Sequence, residues 1–153
     1  MEVIEIVDHA LKEEIARKIL ADLPEWFGIP ESTENYITEG RELPFLACKE
    51  EDYRGFAVLK ETGPSAAEIF VMGVLKKYRG AGMGAKLYQY LEAYARSKGY
   101  AYLQVRTVQQ GHYKEYDETN AFYRAMGFQE LECIPDLWDE WNPCQIYIKY
   151  IRS

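Results

Sequence analysis

The sequence has little of what staples or metallates a small protein. Its 153 residues hold three cysteines and two histidines. The cysteine count is odd, and Cys48, Cys133 and Cys144 stand nowhere at metal-ligand spacing, so no disulfide framework and no zinc site is expected. We read the thiols as reduced packing residues. No apolar run approaches the roughly 18 residues of a membrane span. The acidic start, Met1-Glu2-Val3-Ile4-Glu5, lacks the basic-then-apolar pattern of a secretory leader, so the expected setting is cytoplasmic, with no membrane partner. Positive charge is also short. Lys and Arg number 18 against 25 Asp and Glu, a net charge of −7. Such a chain is a poor general binder of nucleic acid, because phosphate neutralisation needs a basic surface. The same balance favours cationic partners.

What is present is an ordinary globular mixture, 48% hydrophobic and 28% charged. The length fits one domain over residues 1–153. Surface scaling gives about 8,000 Å² exposed when folded, with about 69% of the unfolded surface buried. That supports a core without staples. Alternating polar and apolar residues predict a strand over 2–7. Asp8 is placed to cap a helix over 9–22 that Pro24 ends. A short helix is expected over 31–39. Strands follow over 44–50, 53–60 and 66–75, and a helix over 83–98 stops at Gly99. A strand over 100–108 leads to a short helix capped by Asp117 or Thr119 and ended by Gly127. Strands over 128–133 and 145–151 close the chain. The order predicts an α/β (α+β) domain: one mixed, mostly antiparallel twisted sheet of about seven strands flanked by about four helices.

Charge is unevenly spread. Residues 76–86, KKYRGAGMGAK, carry Lys76, Lys77, Arg79 and Lys86 with no acid. The segment joins an apolar strand to an amphipathic helix. Its alternating glycines allow positive φ and close approach of the backbone to a ligand. Successive N–H groups and the positive end of the helix dipole would then converge on an anion. A phosphate or pyrophosphate fits this chemistry. Gly80-Ala81-Gly82-Met83-Gly84-Ala85 formally satisfies the dinucleotide pattern G-x-G-x-x-G/A, but no acid ends the next strand to hold a ribose. A nucleotide-hydrolase loop fails, since Lys86 lies between Ala85 and Leu87 rather than before Ser or Thr. A plain glycine turn would not need four cations.

Arg79-Gly80-x-Gly82-x-Gly84 resembles the R/Q-x-x-G-x-G/A pyrophosphate loop of the GCN5-related N-acetyltransferases, the GNAT family. A second block, Thr119-Asn120-Ala121-Phe122-Tyr123-Arg124-Ala125-Met126-Gly127-Phe128, resembles that family's later N-x-x-x-Y-x-x-x-G-F-like segment. The resemblance covers about residues 66–99 and 117–129. It implies the GNAT fold, acetyl-CoA as co-substrate, no metal, and acetyl transfer to a primary amine by direct attack. It implies that strands 68–75 and 101–107 splay at a bulge. The pantetheine arm would lie on Met72, Gly73 and Val74, and the pyrophosphate on Arg79, Gly80, Ala81, Gly82, Met83 and Gly84. Asn120 would hold the cofactor or cap its helix. Tyr123 would be the general acid, with its pKa lowered or the departing thiolate strongly basic.

Glu68 is the candidate base, working through a water, with bulk water as the alternative. Strand alternation places Glu68, Phe70, Met72 and Val74 on one face, and an apolar cleft would raise the carboxyl pKa. Trp26, Phe27, Tyr36 and Trp138 are candidate walls of an acceptor pocket, where aromatic rings suit an ammonium group. The acidic balance points to a small cationic amine as acceptor. A protein amine is the other acceptor class. A non-catalytic acyl-CoA-binding module is the alternative of a different class, and a nicotinamide dinucleotide binder a third. The family resemblance admits a homodimer, but nothing in the sequence specifies an interface.

Overall fold

The computed structural model describes residues 1–152. Its accessible surface is 8281 Å², close to the scaling expectation. The elements are β1 (Glu2–Ile6), α1 (His9–Ala21), α2 (Pro30–Gly40), β2 (Phe45–Glu50), β3 (Asp52–Gly63), β4 (Ala66–Val74), α3 (Met83–Ser97), β5 (Tyr102–Val108), α4 (Lys114–Ala125), β6 (Gln129–Ile134) and β7 (Cys144–Tyr150). A single 3₁₀ turn, Lys76–Tyr78, follows β4. The strands form one mixed sheet in the order β1-β2-β3-β4-β5-β7-β6. Only β4 and β5 run parallel, joined through α3; the other neighbours are antiparallel. This is the expected α/β architecture. No helix is long and apolar enough to cross a membrane, among the described residues.

Each face of the sheet carries its own core. Ile15, Ile19 and Leu20 of α1 and Ile37 of α2 pack on Phe45, Phe56, Val58 and Val71. Leu87, Tyr88 and Leu91 of α3 and Tyr123 of α4 pack on Leu59, Ile69, Leu103 and Tyr147 of the opposite face. Side chains three and four apart on each helix supply these stripes.

Asp8 caps α1 as expected, its carboxylate accepting from the Leu11 N–H at 3.0 Å. Two helix starts differ from the sequence reading. Pro30 opens α2 at its first turn, where a missing N–H costs nothing. Helix α4 begins at Lys114, several residues before the expected caps. Asp117 instead accepts from the Gly111 N–H at 2.7 Å and pins the preceding loop, while Thr119 turns its hydroxyl onto the Glu115 carbonyl. Gly127, at φ 95, ends the helix in the left-handed conformation.

The centre of the sheet is where the fold makes room. Strand β4 pairs with β5 only from Ala66 to Glu68, opposite Tyr102 to Gln104. Beyond that the two strands diverge, as the resemblance implied. On the other side of β4, Val58 pairs with Val71 and Leu59 with Ile69, so Phe70 is an extra residue in a bulge. The bulge breaks the alternation. Phe70 packs with the α1/α2 core, whereas Met72 and Val74 belong to the α3 side. The expectation that Glu68, Phe70, Met72 and Val74 share one face is therefore corrected. Glu68, opposite Lys60, shares its face with Phe70, and the residues past the bulge are inverted.

Candidate active site

Two cavities open where β4 and β5 part. The first, about 450 Å³, lies on the α3 side between the end of β4, the glycine loop and α4. Met72, Gly73, Val74, Arg79, Gly80, Gly82, Met83 and Gly84 line it, as anticipated. Ala81 lies in the same loop but is turned outward. Gly80 at φ 82 and Gly82 at φ 79 hold conformations that a side chain would strain. Gly82 is also the N-cap of α3 and offers no side-chain oxygen, so the first N–H groups of the helix face the loop without a side-chain cap. At Gly84 a Cβ would approach Phe122 to 3.3 Å, so close packing of α3 on α4 explains this third glycine.

The basic island is less concentrated than its sequence suggests. Lys76 pairs with Glu25, and its backbone N–H donates to Asp22 at 2.7 Å. Lys86 points toward the Met1 carbonyl. Arg79 is the member that lines the cavity. Its guanidinium stacks 4.2 Å from the centroid of the Trp26 ring and stands 4.0 Å from Glu118. Behind the loop, Arg54 stacks 4.0 Å from the Tyr78 centroid, with its Nε buried and unpaired.

The second cavity, about 560 Å³, lies on the opposite side and gathers Trp26, Phe27, Tyr36 and Trp138, the four anticipated acceptor residues. Phe27 and Phe70 meet Tyr36 edge-on, at centroid distances of 5.9 and 5.2 Å. The Trp26 indole N–H donates to Thr119 Oγ1 at 3.1 Å, which ties the α1–α2 loop to α4. The acidic excess of the chain does not line this cavity. Its charged lining is Arg79, Arg106 and Asp139. Asp139 accepts from the Asn142 side-chain amide at 2.9 Å, and from the Trp141 and Asn142 backbone N–H groups at 2.9 and 2.8 Å, which together hold its carboxyl below the usual range. Asp139, next to Trp138, is thus committed to its own turn.

Met72, Arg79, Thr119 and Tyr123 line both cavities. Tyr123 is 7% exposed and its hydroxyl makes no hydrogen bond among the described residues. Its ring is fixed edge-on between Phe122 and Phe128, at centroid distances of 5.2 and 5.6 Å. Burial pushes its pKa well above the ordinary phenol value, opposite to the lowering contemplated from sequence. The phenol therefore stays protonated at neutral pH.

Asn120 is committed to internal hydrogen bonds. It is fully buried and lines neither cavity. Its amide donates to the Val108 and Tyr116 carbonyls at 2.9 and 2.6 Å and accepts from the Tyr147 hydroxyl at 2.6 Å. These bonds clamp α4 to β5 and β7, and Asn120 stands inside α4 rather than at its start. Glu68 is also outside the lining, behind Arg106, with its carboxylate 3.9 Å from the Arg106 Nε. Burial raises its pKa, and Arg106 and Lys60 oppose the rise. Sequence reasoning missed Arg106, Phe122 and Met126. Phe122 and Met126 share a helical face with Thr119, a spacing that could have found them. The Cys48 and Cys144 thiols are buried, which pushes each to about 11, far from a nucleophile.

A bare helix start with two left-handed glycines, set beside an unpaired strand edge, defines a domain that binds an extended phosphate-bearing ligand next to an aromatic pocket. A dinucleotide-binding sheet would be parallel throughout, and here a single pair is. The acetyltransferase (GNAT) family model matches residues 9–128. The N-alpha-acetyltransferase RimI of Mycobacterium tuberculosis (strain ATCC 25618 / H37Rv) is 37% identical over 79 residues, 52% of this chain and 45% of that protein. The match thus spans less than half the length of that relative. A crystal structure of a GNAT-family protein from Desulfovibrio desulfuricans has the same fold, with a TM-score of 0.83 at 16% identity over 98% of each chain. An aminoglycoside 6′-N-acetyltransferase complexed with coenzyme A gives a TM-score of 0.76 at 19% identity over 100% of this chain and 98% of its own. The chain belongs to the acetyltransferase (GNAT) family.

Proposed function

We propose that this protein transfers the acetyl group of acetyl-CoA to the primary amine of a small molecule in a ternary complex. The observation that carries this reading is the meeting of the two cavities at Met72, Arg79, Thr119 and Tyr123. One cavity is built for a phosphate-bearing arm and the other for an organic body, and they share a buried phenol.

The pyrophosphate would rest on the Gly80–Gly84 backbone and on Arg79. The pantetheine arm would lie along β4 from Met72 to Val74, where no strand stands beside its β5-facing edge. The acceptor nitrogen forms a bond to the thioester carbonyl carbon, the carbon–sulfur bond breaks, and the electron pair leaves on sulfur. Tyr123 donates its phenolic proton to the sulfur as the bond breaks, where the same burial that raises the phenol makes the departing thiolate strongly basic. The proton lost by the amine passes through a water to Glu68, which lies on the acceptor face because of the Phe70 bulge. A β4 backbone N–H polarises the carbonyl. No protein nucleophile is needed.

The relative from Mycobacterium tuberculosis bears the name of an enzyme acting on N-terminal amines, which keeps a protein amine as the second acceptor class. The lining of a compact 560 Å³ cavity by aromatic side chains supports the small molecule. The test is calorimetric titration with acetyl-CoA, CoA and NADPH, with Gly82→Trp as the loop-blocked control. Acetyl-CoA should bind and the control should lose it, followed by release of free thiol when an amine panel is added. A preference for NADPH, or acetyl-CoA binding with no transfer to any amine, would sink the proposal.

A further inference from the structure

Of the three charged side chains around the acceptor cavity, two are already engaged. Asp139 holds its own turn together through four contacts to Trp141 and Asn142. Arg79 stacks on Trp26 and belongs equally to the cofactor cavity. Arg106 is different. It projects from β5 on the face opposite Leu103 and Val105, which are buried in the α3 core. Its side chain is 46% exposed into the cavity mouth. Its guanidinium makes no hydrogen bond among the described residues, and its one ionic neighbour, Glu68, stands at 3.9 Å. Lys60 is paired with Glu39 and also faces Glu68 across β3 and β4, so it shares the neutralising of that carboxylate with Arg106.

We propose that the acceptor is an amine that also carries a carboxylate, and that Arg106 binds this carboxylate through its unspent guanidinium donors. The inference rests on the acetyl-transfer reading and names its substrate class. A planar guanidinium with free paired donors matches a carboxylate bidentately. A purely cationic amine would instead meet Arg106 and Arg79 with no free carboxylate in the lining to balance them. The net charge of −7, which argued for a cation, sits elsewhere on the surface. Glu68 lies outside the lining on the same face as Arg106, where it is placed to take the amine's proton through a water rather than to pair with the ammonium. The remaining walls, Trp26, Phe27, Tyr36, Phe70 and Trp138, take an apolar or aromatic body.

The test compares matched acceptors on the whole protein: L-phenylalanine, L-phenylalaninamide and 2-phenylethylamine, with 6-aminohexanoate and hexylamine as an ω-amine pair. Thiol release gives kcat/KM for each, and calorimetry gives acetyl-CoA affinity in parallel. In at least one series the carboxylate member should exceed its carboxylate-free partners by roughly 10- to 100-fold, the worth of charge-assisted hydrogen bonds. Arg106→Gln should collapse that ratio, mainly through KM, and Arg106→Lys should keep part of it. Carboxylate-free members acetylated as well or better, or a ratio untouched by Arg106→Gln, would overturn the inference and leave acetyl transfer standing. Acetyl-CoA binding with transfer to no carboxylate-bearing amine overturns it too. Failure to bind acetyl-CoA removes the acetyl-transfer reading and this inference with it.

Discussion

The cofactor cavity takes most of its lining from one stretch, residues 72–85, whereas the acceptor cavity draws on residues 23–36, 69–72, 105–108, 116–123 and 137–142. The first is largely backbone: glycines, a strand edge and a helix start. The second is side chain throughout. A backbone site must be spelled out by a contiguous motif, because only glycine at set positions permits its geometry. A side-chain site needs no motif and can be rebuilt by changing loop residues. On the acetyl-transfer reading proposed above, one fold thus keeps a fixed donor site beside an adjustable acceptor site.

Tyr123 joins the two regions, and its removal is the hardest test of that division. Tyr123→Phe should lower kcat by roughly 100-fold, the scale of a lost general acid. Acetyl-CoA affinity should stay within a few-fold by calorimetry. An unchanged kcat would sink the acid assignment. Glu92 lies in neither cavity and serves as a purely structural contrast. It accepts from Tyr88 at 2.7 Å, from Arg96 at 2.6 Å and from Lys149. Burial opposes its charge, but these donors outweigh it and hold the carboxyl below its usual value. Glu92→Gln should cost about 2 kcal/mol in denaturant unfolding, within the range for hydrogen bonds to charged groups. A depressed folded pKa gives stability that is full above the unfolded value of about 4.3 and is lost as pH falls through the folded value. The gap between wild type and variant should therefore narrow below about pH 4.

Glu68→Gln should reduce kcat/KM by roughly tenfold, at the low end of base catalysis. The wild-type rate should rise with pH through a carboxyl value above the ordinary 4.3 or so, because burial raises Glu68, and the variant should lack that limb. A limb that persists assigns the proton to bulk water. The smallest effect belongs to the half-exposed Trp138 at the acceptor rim. Trp138→Ala should raise the acceptor KM by a few-fold, as lost apolar contact at an exposed site implies. Acetyl-CoA binding should not move. A loss of acetyl-CoA affinity here would break the division between the two cavities.

The sequence displayed the donor side almost completely. The loop 79–84, helix α3 and the strands around it lie within a residue or two of their expected bounds. The start of α4 was hidden because Lys114, Glu115 and Asp117 show no apolar period, and Asp117 has the chemistry of a cap while bonding Gly111 instead. The Phe70 bulge left no trace in the pattern: the letters from Glu68 to Val74 keep a period of two while the backbone slips by one. Asn120 stands in a motif position, and only the fold commits its amide to Val108, Tyr116 and Tyr147. Arg106 reads as one more solvated strand residue until the fold brings it into one cavity with Trp138. The acceptor aromatics were identifiable as large residues in loops, but not as neighbours, since long-range approach sets their positions.

Three residue pairs, Ala66–Tyr102, Ala67–Leu103 and Glu68–Gln104, stitch a four-stranded half-sheet to a three-stranded one. Mechanically that stitch is a hinge line with an open slot along it. A ligand arm lying against β4 would act as a splint across the slot, standing in for the ladder that the strands do not make. Amides from Ile69 to Val74 that face the slot should then exchange with deuterium faster than their neighbours facing β3, and slow when CoA is added. Equal exchange on both edges, with and without CoA, would mean that the two halves are already rigid and that the donor fills a slot it does not brace.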